Sequence, residues 1–195
     1  MKLTFKRPNQ LLAQRLETAR FILTPLTVRS AFKLTAPWRN DAEILAALYL
    51  TRSMNLLNWL HHGPMPNNVD RFTYAITPHG SATPIGIFTV RFRPCRTAST
   101  GVALRDRDWW GKGVTVEVRR KLMNHFFRHG GVDRFIGQIY GRNPASVFNY
   151  QRLGFQHIGT WHRHVWDRAS GAPVDLTMFE MQRENWEKGP HADAD

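Results

Sequence analysis

With Cys95 as its sole cysteine, a chain of 195 residues has no intrachain disulfide to form. That absence fits a reducing compartment, and a cytoplasmic location is the expectation. A lone thiol without a recognised local signature reads as a small core or surface residue, not as a nucleophile. Long apolar runs are missing too. The longest, Ile44 to Leu50, is far below the roughly 20 residues that cross a bilayer, so no membrane partner is expected. The opening Met1-Lys-Leu-Thr-Phe-Lys-Arg-Pro has no apolar stretch of the kind a secretory signal needs. There is no internal repeat and no low-complexity block. Acidic residues are scarce: Asp and Glu total 15 against 27 Lys and Arg, a net charge of +12. Such a surface attracts nucleic acid, ribosome, an anionic cofactor or a nucleotide-linked substrate, or is simply solvated. No run of like charge exceeds three residues, so the charge names no partner.

Hydrophobic residues at 42% and charged residues at 22% describe an ordinary globular chain, long enough for one domain with a core. Strands are predicted at Ala19 to Leu26, Phe72 to Thr77, Pro84 to Phe92 and Thr100 to Arg105. Pro78-His-Gly-Ser-Ala-Thr-Pro84 makes the turn of a central hairpin. Two helical pieces are expected through Trp38 to about Ser53, with Asn40 or Asp41 capping the second and Ile44, Leu45 and Leu48 on its apolar face. His61 to Asn68 reads as a loop. From Gly113 to Arg128 the period changes: Val114, Val118, Leu122 and Phe126 recur every four residues, Met123 and Phe127 widen the stripe, and polar residues fill the rest. Gly130-Gly131 ends this helix. Phe135 to Tyr140, Phe155 to Trp166 and Val174 to Met181 read as strands around a short helix from Ala145 to Leu153. The polar stretch Lys188 to Asp195 is expected to fray. The order is mixed α/β, of the α+β kind.

Between a strand and the long helix stands Trp110-Gly111-Lys112-Gly113-Val114-Thr115. Glycines before a helix let a ligand approach the backbone, and the helix amides with their dipole attract anions. Two glycines there also make an ordinary tight turn. There is no Gly-Lys-Ser/Thr ending and no G-x-G-x-x-G, so the common nucleotide motifs are excluded.

Leu104 through Glu117 resembles the acyl-CoA pyrophosphate loop of the GNAT acetyltransferases, closest to the branch that acetylates ribosomal-protein N-termini. In the family form Q/R-x-x-G-x-G/A, Trp110 stands at the first position, Gly113 at the central glycine and Thr115, a departure, at the last. Leu16-Glu-Thr-Ala-Arg-Phe-Ile-Leu-Thr-Pro-Leu-Thr27 resembles the first-strand signature of that branch. Asn143-Pro-Ala-Ser146-Val-Phe-Asn-Tyr150-Gln-Arg-Leu-Gly154-Phe155 resembles the later motif N-x-x-A/S-x-x-x-Y-x-x-x-G-F. The resemblance implies a central, mostly antiparallel sheet of about seven strands flanked by helices and splayed between its fourth and fifth strands. It implies an extension over residues 1–15, a catalytic domain over 16–183 and a polar tail over 184–195.

Carried over residue by residue, Leu104 and Arg105 give backbone contacts to pantetheine. Trp110, Gly111, Lys112, Gly113, Val114 and Thr115 hold the pyrophosphate, and Asn143 and Ser146 meet the cofactor. Asn143 also suits a helix N-cap. Tyr150 takes the position of the general acid. A phenol of pKa about 10 is suited to return a proton to a thiolate whose acid has pKa about 8.5, although a packed tyrosine fits the spacing as well. No general base is legible; Asp106, Asp108, Glu117 and Glu180 are candidates by position only. His157, His162 and His164 have no Cys or carboxylate at a metal-ligand spacing, so no metal is expected. Trp59, His61 and His62 fall where the family varies with substrate and are expected to line the acceptor pocket, or to be solvated.

The implied activity is acetyl transfer from acetyl-CoA to a primary amine by direct attack in a ternary complex. The acceptor is a protein N-terminus or a small, possibly anionic amine; Trp38-Arg-Asn-Asp41 also resembles sequences of amino-sugar acetyltransferases. The competing readings are an acyl-CoA sensor without catalysis and a basic module that binds ribosome or nucleic acid. The second has no supporting helix-turn-helix, zinc or RNP-like pattern. A homodimer is compatible with either.

Overall fold

A computed structural model describes residues 9–47, 54–141, 143–167 and 170–192. Its eight strands form one open sheet in the order β1-β2-β3-β4-β5-β6-β8-β7. The chain divides into two compact units, each with its own core. One runs to Phe92 and adds Gly101–Trp109; the other comprises Arg93–Thr100 and the chain from Trp110 onward.

In the first unit β1 (Leu16–Glu17) and β2 (Phe21–Pro25) lead into α1 (Val28–Thr35), α2 (Ala42–Ala47) and α3 (Leu56–His62). β3 (Arg71–Pro78) and β4 (Gly86–Arg93) then form the expected hairpin. The two-residue β1, paired with β2, is the strand beyond the expected seven. Each helix begins where a side chain satisfies orphan amides. Thr27 and Ser30 cap α1 reciprocally, the Ser30 amide donating to Thr27 Oγ1 at 3.2 Å and the Thr27 amide to Ser30 Oγ at 2.9 Å. Asp41 Oδ1 accepts from the amides of Glu43 and Ile44 at 3.0 and 3.1 Å, so Asp41 is the cap of α2. Asn55 Oδ1 does the same for Asn58 at 2.8 Å.

Two expectations change here. The helical pieces begin earlier, at Val28, and the remainder of the second, with Leu48, lies outside the described residues. His61 and His62 close α3 and do not open a loop; the loop starts at Gly63. Trp38, Ile44, Trp59, Met65, Ala75, Ile87 and Ala103 pack into one core. Trp59 is fully buried, its indole N–H donating to Thr35 Oγ1 at 3.0 Å.

In the second unit the first half of β5 (Thr97–Leu104) is followed by α4 (Val114–His129), β6 (Arg134–Tyr140), α5 (Pro144–Arg152), β7 (Gln156–Asp167), β8 (Ala172–Gln182) and α6 (Arg183–Glu187). β5 pairs with β6 in parallel only from Thr97 to Ser99 against Arg134 to Ile136, whereas β6 pairs with β8 along its whole length. The predicted stripe of α4 is buried throughout: Val114, Val118, Leu122, Met123, Phe126 and Phe127. Phe127 meets Phe135 edge-on at 4.9 Å. Arg119, Asn124 and His125, expected on the polar side, are buried as well.

Asn124 is buried because the C-terminal segment packs on it. Its Oδ1 accepts from the Trp186 indole at 2.5 Å and its Nδ2 donates to the His191 carbonyl at 3.1 Å. The stretch through His191 is therefore docked, not frayed. Residues 193–195 lie outside the described residues. Burial lowers the His191 pKa, and the nearby Arg120 charge adds to this against an opposing Arg152 backbone contact. A histidine whose folded pKa is depressed folds best neutral. Above an unfolded pKa of about 6.5 it has no effect on stability, and stability falls as pH drops below that value. Thermal melts should show the wild type losing more Tm than His191→Gln between neutral and weakly acidic pH; parallel pH profiles would contradict the docking.

Candidate functional site

The α4 N-terminus lacks a side-chain cap. Gly113 is its N-cap at φ 75° and ψ 10°, and Gly111 stands at φ 72°. Only glycine holds the left-handed region without strain, so both positions need it. Nothing lies within 4 Å of where a Gly111 Cβ would project, so the turn faces open space. Uncapped first-turn amides, the positive end of a 16-residue helix and the exposed Lys112 together suit a polyphosphate. Val114 turns into the core, and Thr115 and Trp110 lie at the surface of the turn. These residues fit the pyrophosphate of an acyl-CoA.

Asn143 caps α5, its Oδ1 accepting from the Ser146 amide at 3.0 Å, with Pro144 at the first helical position. About two turns further in, Tyr150 is 3% exposed. Its ring stacks on Phe179 at 5.7 Å and 9°, meets Phe155 edge-on at 4.8 Å and lies 4.1 Å below the Arg119 guanidinium. Its hydroxyl is 3.4 Å from Thr100 Oγ1 on β5. The ring comes this close to β6 because residue 137 is glycine. A Cβ there would lie 2.5 Å from Tyr150 Cζ, a distance no carbon pair tolerates. Neither Gly137 nor Arg119 stands out in the sequence, because the motif marks only the tyrosine.

Leu104 and Arg105 belong to the first unit. The Arg105 amide donates to the Ile85 carbonyl, just before β4, at 2.9 Å.

The first unit also holds a cavity of about 270 Å³. His61, His62 and Gly63–Met65 form its wall, and the hairpin residues Arg71, Thr73, Thr89 and Arg91 form its floor. Trp59, expected beside the two histidines, does not line it; its side chain is core. On the floor Arg71 is paired with Arg91 and Thr73 with Thr89. The sequence carries a signal for these four. In Arg71-Phe-Thr73 and Thr89-Val-Arg91, polar residues alternate with core residues, and period two puts them on one face.

The other candidates have local partners. His162 Nδ1 is 3.0 Å from Asp175 Oδ2, and the Arg163 amide, then His162, hold the Asp175 carboxyl below its usual range. His157 faces Thr160 at 3.1 Å and His164 lies against Trp161. Among the described residues no group of three His, Cys, Asp or Glu is arranged for a metal. Asp106 Oδ1 accepts from the Asp108 amide at 3.0 Å, and Glu180 lies 3.6 Å from Arg134.

Residues 20–156 match the family described as acetyltransferase (GNAT) domain. An N-acetyltransferase of Bacillus licheniformis, p20, itself uncharacterised, is 21% identical over 179 residues, which is 89% of this chain and 98% of that one. An acetyltransferase of the GNAT family from Bacillus anthracis superposes with a TM-score of 0.70 at 12% identity, over 88% of this chain and 99% of the other. A ribosomal L7/L12 alpha-N-protein acetyltransferase, RimL, solved in complex with coenzyme A, does so with a TM-score of 0.70 at 17% identity, over the same shares of 88% and 99%.

The nested tyrosine generates a packing prediction. Gly137→Ala should lower stability by about 1–3 kcal/mol in urea titrations, because the added methyl overpacks the Tyr150 ring. Combined with Tyr150→Leu it should cost less than the sum of the two single changes. Strict additivity would mean that the ring does not rest on residue 137.

Proposed function

The chain belongs to the acetyltransferase (GNAT) family, and on that premise we propose that it moves an acetyl group from acetyl-CoA to a primary amine by direct attack in a ternary complex. The observation that carries this reading is the glycine-capped, uncapped-by-side-chain N-terminus of α4, in the same unit as a tyrosine whose position is fixed on every side. The Gly111–Thr115 amides and Lys112 receive the pyrophosphate. Asn143 and Ser146 meet the pantetheine arm where α5 begins. The amine nitrogen attacks the thioester carbonyl, the carbon–sulfur bond breaks, and the leaving thiolate takes the Tyr150 hydroxyl proton. Thr100 Oγ1, 3.4 Å from that hydroxyl, orients it and passes a proton back from water. The attacking nitrogen loses its proton to water, since Asp106 and Glu180 are held by their own neighbours.

For the acceptor, an N-terminal amine of a protein is favoured. The first-strand and loop motifs resemble that branch, and RimL, which superposes on this chain, is named for such a reaction. The cavity walled by His61 and His62 is the acceptor pocket in this reading. Residues 16–183 act as one catalytic domain, and the cytoplasm is where its co-substrate is plentiful.

Two measurements test this. Acetyl-CoA at about 100 times its Kd should stabilise the protein by about 2.7 kcal/mol in thermal or urea melts. Gly113→Trp should remove that shift in a protein that still folds, and a full shift in the variant would make the turn structural only. Tyr150→Phe removes only the hydroxyl. It should reduce kcat about 100-fold or more with little change in acetyl-CoA affinity; an unchanged kcat would assign the ring to packing and the proton to water.

A further inference from the structure

The floor of the acceptor cavity holds an arrangement that packing does not explain. Arg71 and Arg91 are direct cross-strand partners on β3 and β4. Like charges directly opposite in an antiparallel pair destabilise it. Charged residues are often placed on edge strands to block aggregation, but β3 and β4 are interior strands of the sheet. Among the described residues the carboxylate that Arg71 meets is Asp70, whose Oδ1 lies 4.0 Å from Arg71 Nε and also accepts from Asn67 Nδ2 at 2.7 Å. Among the described residues Arg91 has no carboxylate partner, and no Asp or Glu lines the cavity.

The uncharged groups do not offset this. Thr73 Oγ1 donates to the Pro64 carbonyl at 2.8 Å and Thr89 Oγ1 to the Gly101 carbonyl at 3.3 Å. The donors left to a ligand are therefore two guanidiniums on the floor and two imidazoles, His61 and His62, on the wall. Paired guanidiniums suit an oxyanion, which can bridge both forks. An oxyanion bridging the two guanidiniums offsets the repulsion between them.

We infer that Arg71 and Arg91 form a clamp for an oxyanion carried by the acceptor itself, so that the enzyme selects amines that also bear a carboxylate or phosphate. This rests on the proposed acetyl transfer and narrows its substrate class. The +12 charge acquires a role in it, drawing such acceptors toward the surface.

The test uses two matched pairs of acceptors. One pair is a hexapeptide beginning Ser-Asp-Glu and its Ser-Asn-Gln counterpart; the other is 2-aminoethyl phosphate and ethanolamine. Free thiol release gives kcat/KM, and calorimetry gives peptide binding to the protein saturated with CoA. The wild type should favour the anionic member of at least one pair by about tenfold or more at low salt, and the pair that discriminates identifies the oxyanion as carboxylate or phosphate. In Arg71→Gln with Arg91→Gln the ratio should fall toward one. Arg29→Gln with Lys33→Gln removes the same charge from the exposed face of α1 and should keep the ratio. Arg91→Gln alone serves if the double variant does not fold.

Equal use of both members of both pairs, or a ratio that survives the double change, overturns the clamp while acetyl transfer stands. Tight binding of the acidic peptide that depends on Arg71 and Arg91, without turnover of any amine, supports the clamp and overturns the transfer. Absence of both binding preference and turnover overturns both.

Discussion

The Tyr150 ring rests on the backbone of residue 137, in space that exists only because that residue lacks a Cβ. Around this contact the second unit is assembled. α5 delivers the ring, β6 supplies the glycine, β8 stacks Phe179 on one face and α4 lays the Arg119 guanidinium 4.1 Å from the centre of the ring. β5 brings Thr100 to the hydroxyl. A cation over a tyrosine face in a desolvated setting contributes about 2 kcal/mol, and the aromatic contacts add to it. The ring is thereby held with its hydroxyl beside Thr100, as the proposed general acid requires. Tyr74 makes the contrast. Its hydroxyl donates to the Leu12 carbonyl in a closed core, and burial pushes its pKa well above that of an ordinary phenol.

The two proposed binding sites rest on different physics. At the α4 turn the proposed co-substrate meets backbone: two glycines in left-handed geometry leave amides that no side chain caps. At the β3–β4 hairpin the proposed acceptor meets side chains on one face, while Phe72, Tyr74, Phe88 and Val90 lie buried on the other. The backbone site carries no information beyond charge and shape, as suits a co-substrate common to a family. The side-chain site can be rewritten one residue at a time without touching the fold, as suits an acceptor that differs among members.

What the sequence made legible follows the same division. The α4 stripe, the glycine turn, the Asp41 cap and the hairpin are local signals of period, turn chemistry or capping, and each formed close to where it was read. α3 escaped because its apolar residues Leu56, Leu57 and Leu60 are exposed and only Trp59 is buried, so it carries no stripe. Docking of the C-terminal segment escaped because a single polar residue, Asn124, anchors it through Trp186 and His191. The Arg71–Arg91 pair needs strand register, which no local pattern supplies. Gly137 needs knowledge of which side chain lies across from it.

The central claim is direct transfer between two bound substrates, with Tyr150 returning the proton and no acyl group resting on the protein. Acetyl-CoA carrying ¹³C at its carbonyl, followed by NMR after addition of excess amine acceptor, tests it in one sample. The thioester resonance should decline as an amide resonance on the acceptor grows at the same rate, with no protein-bound carbonyl between them. A kinetically competent acyl-protein species, on the exposed Cys95 or any other side chain, would contradict the account.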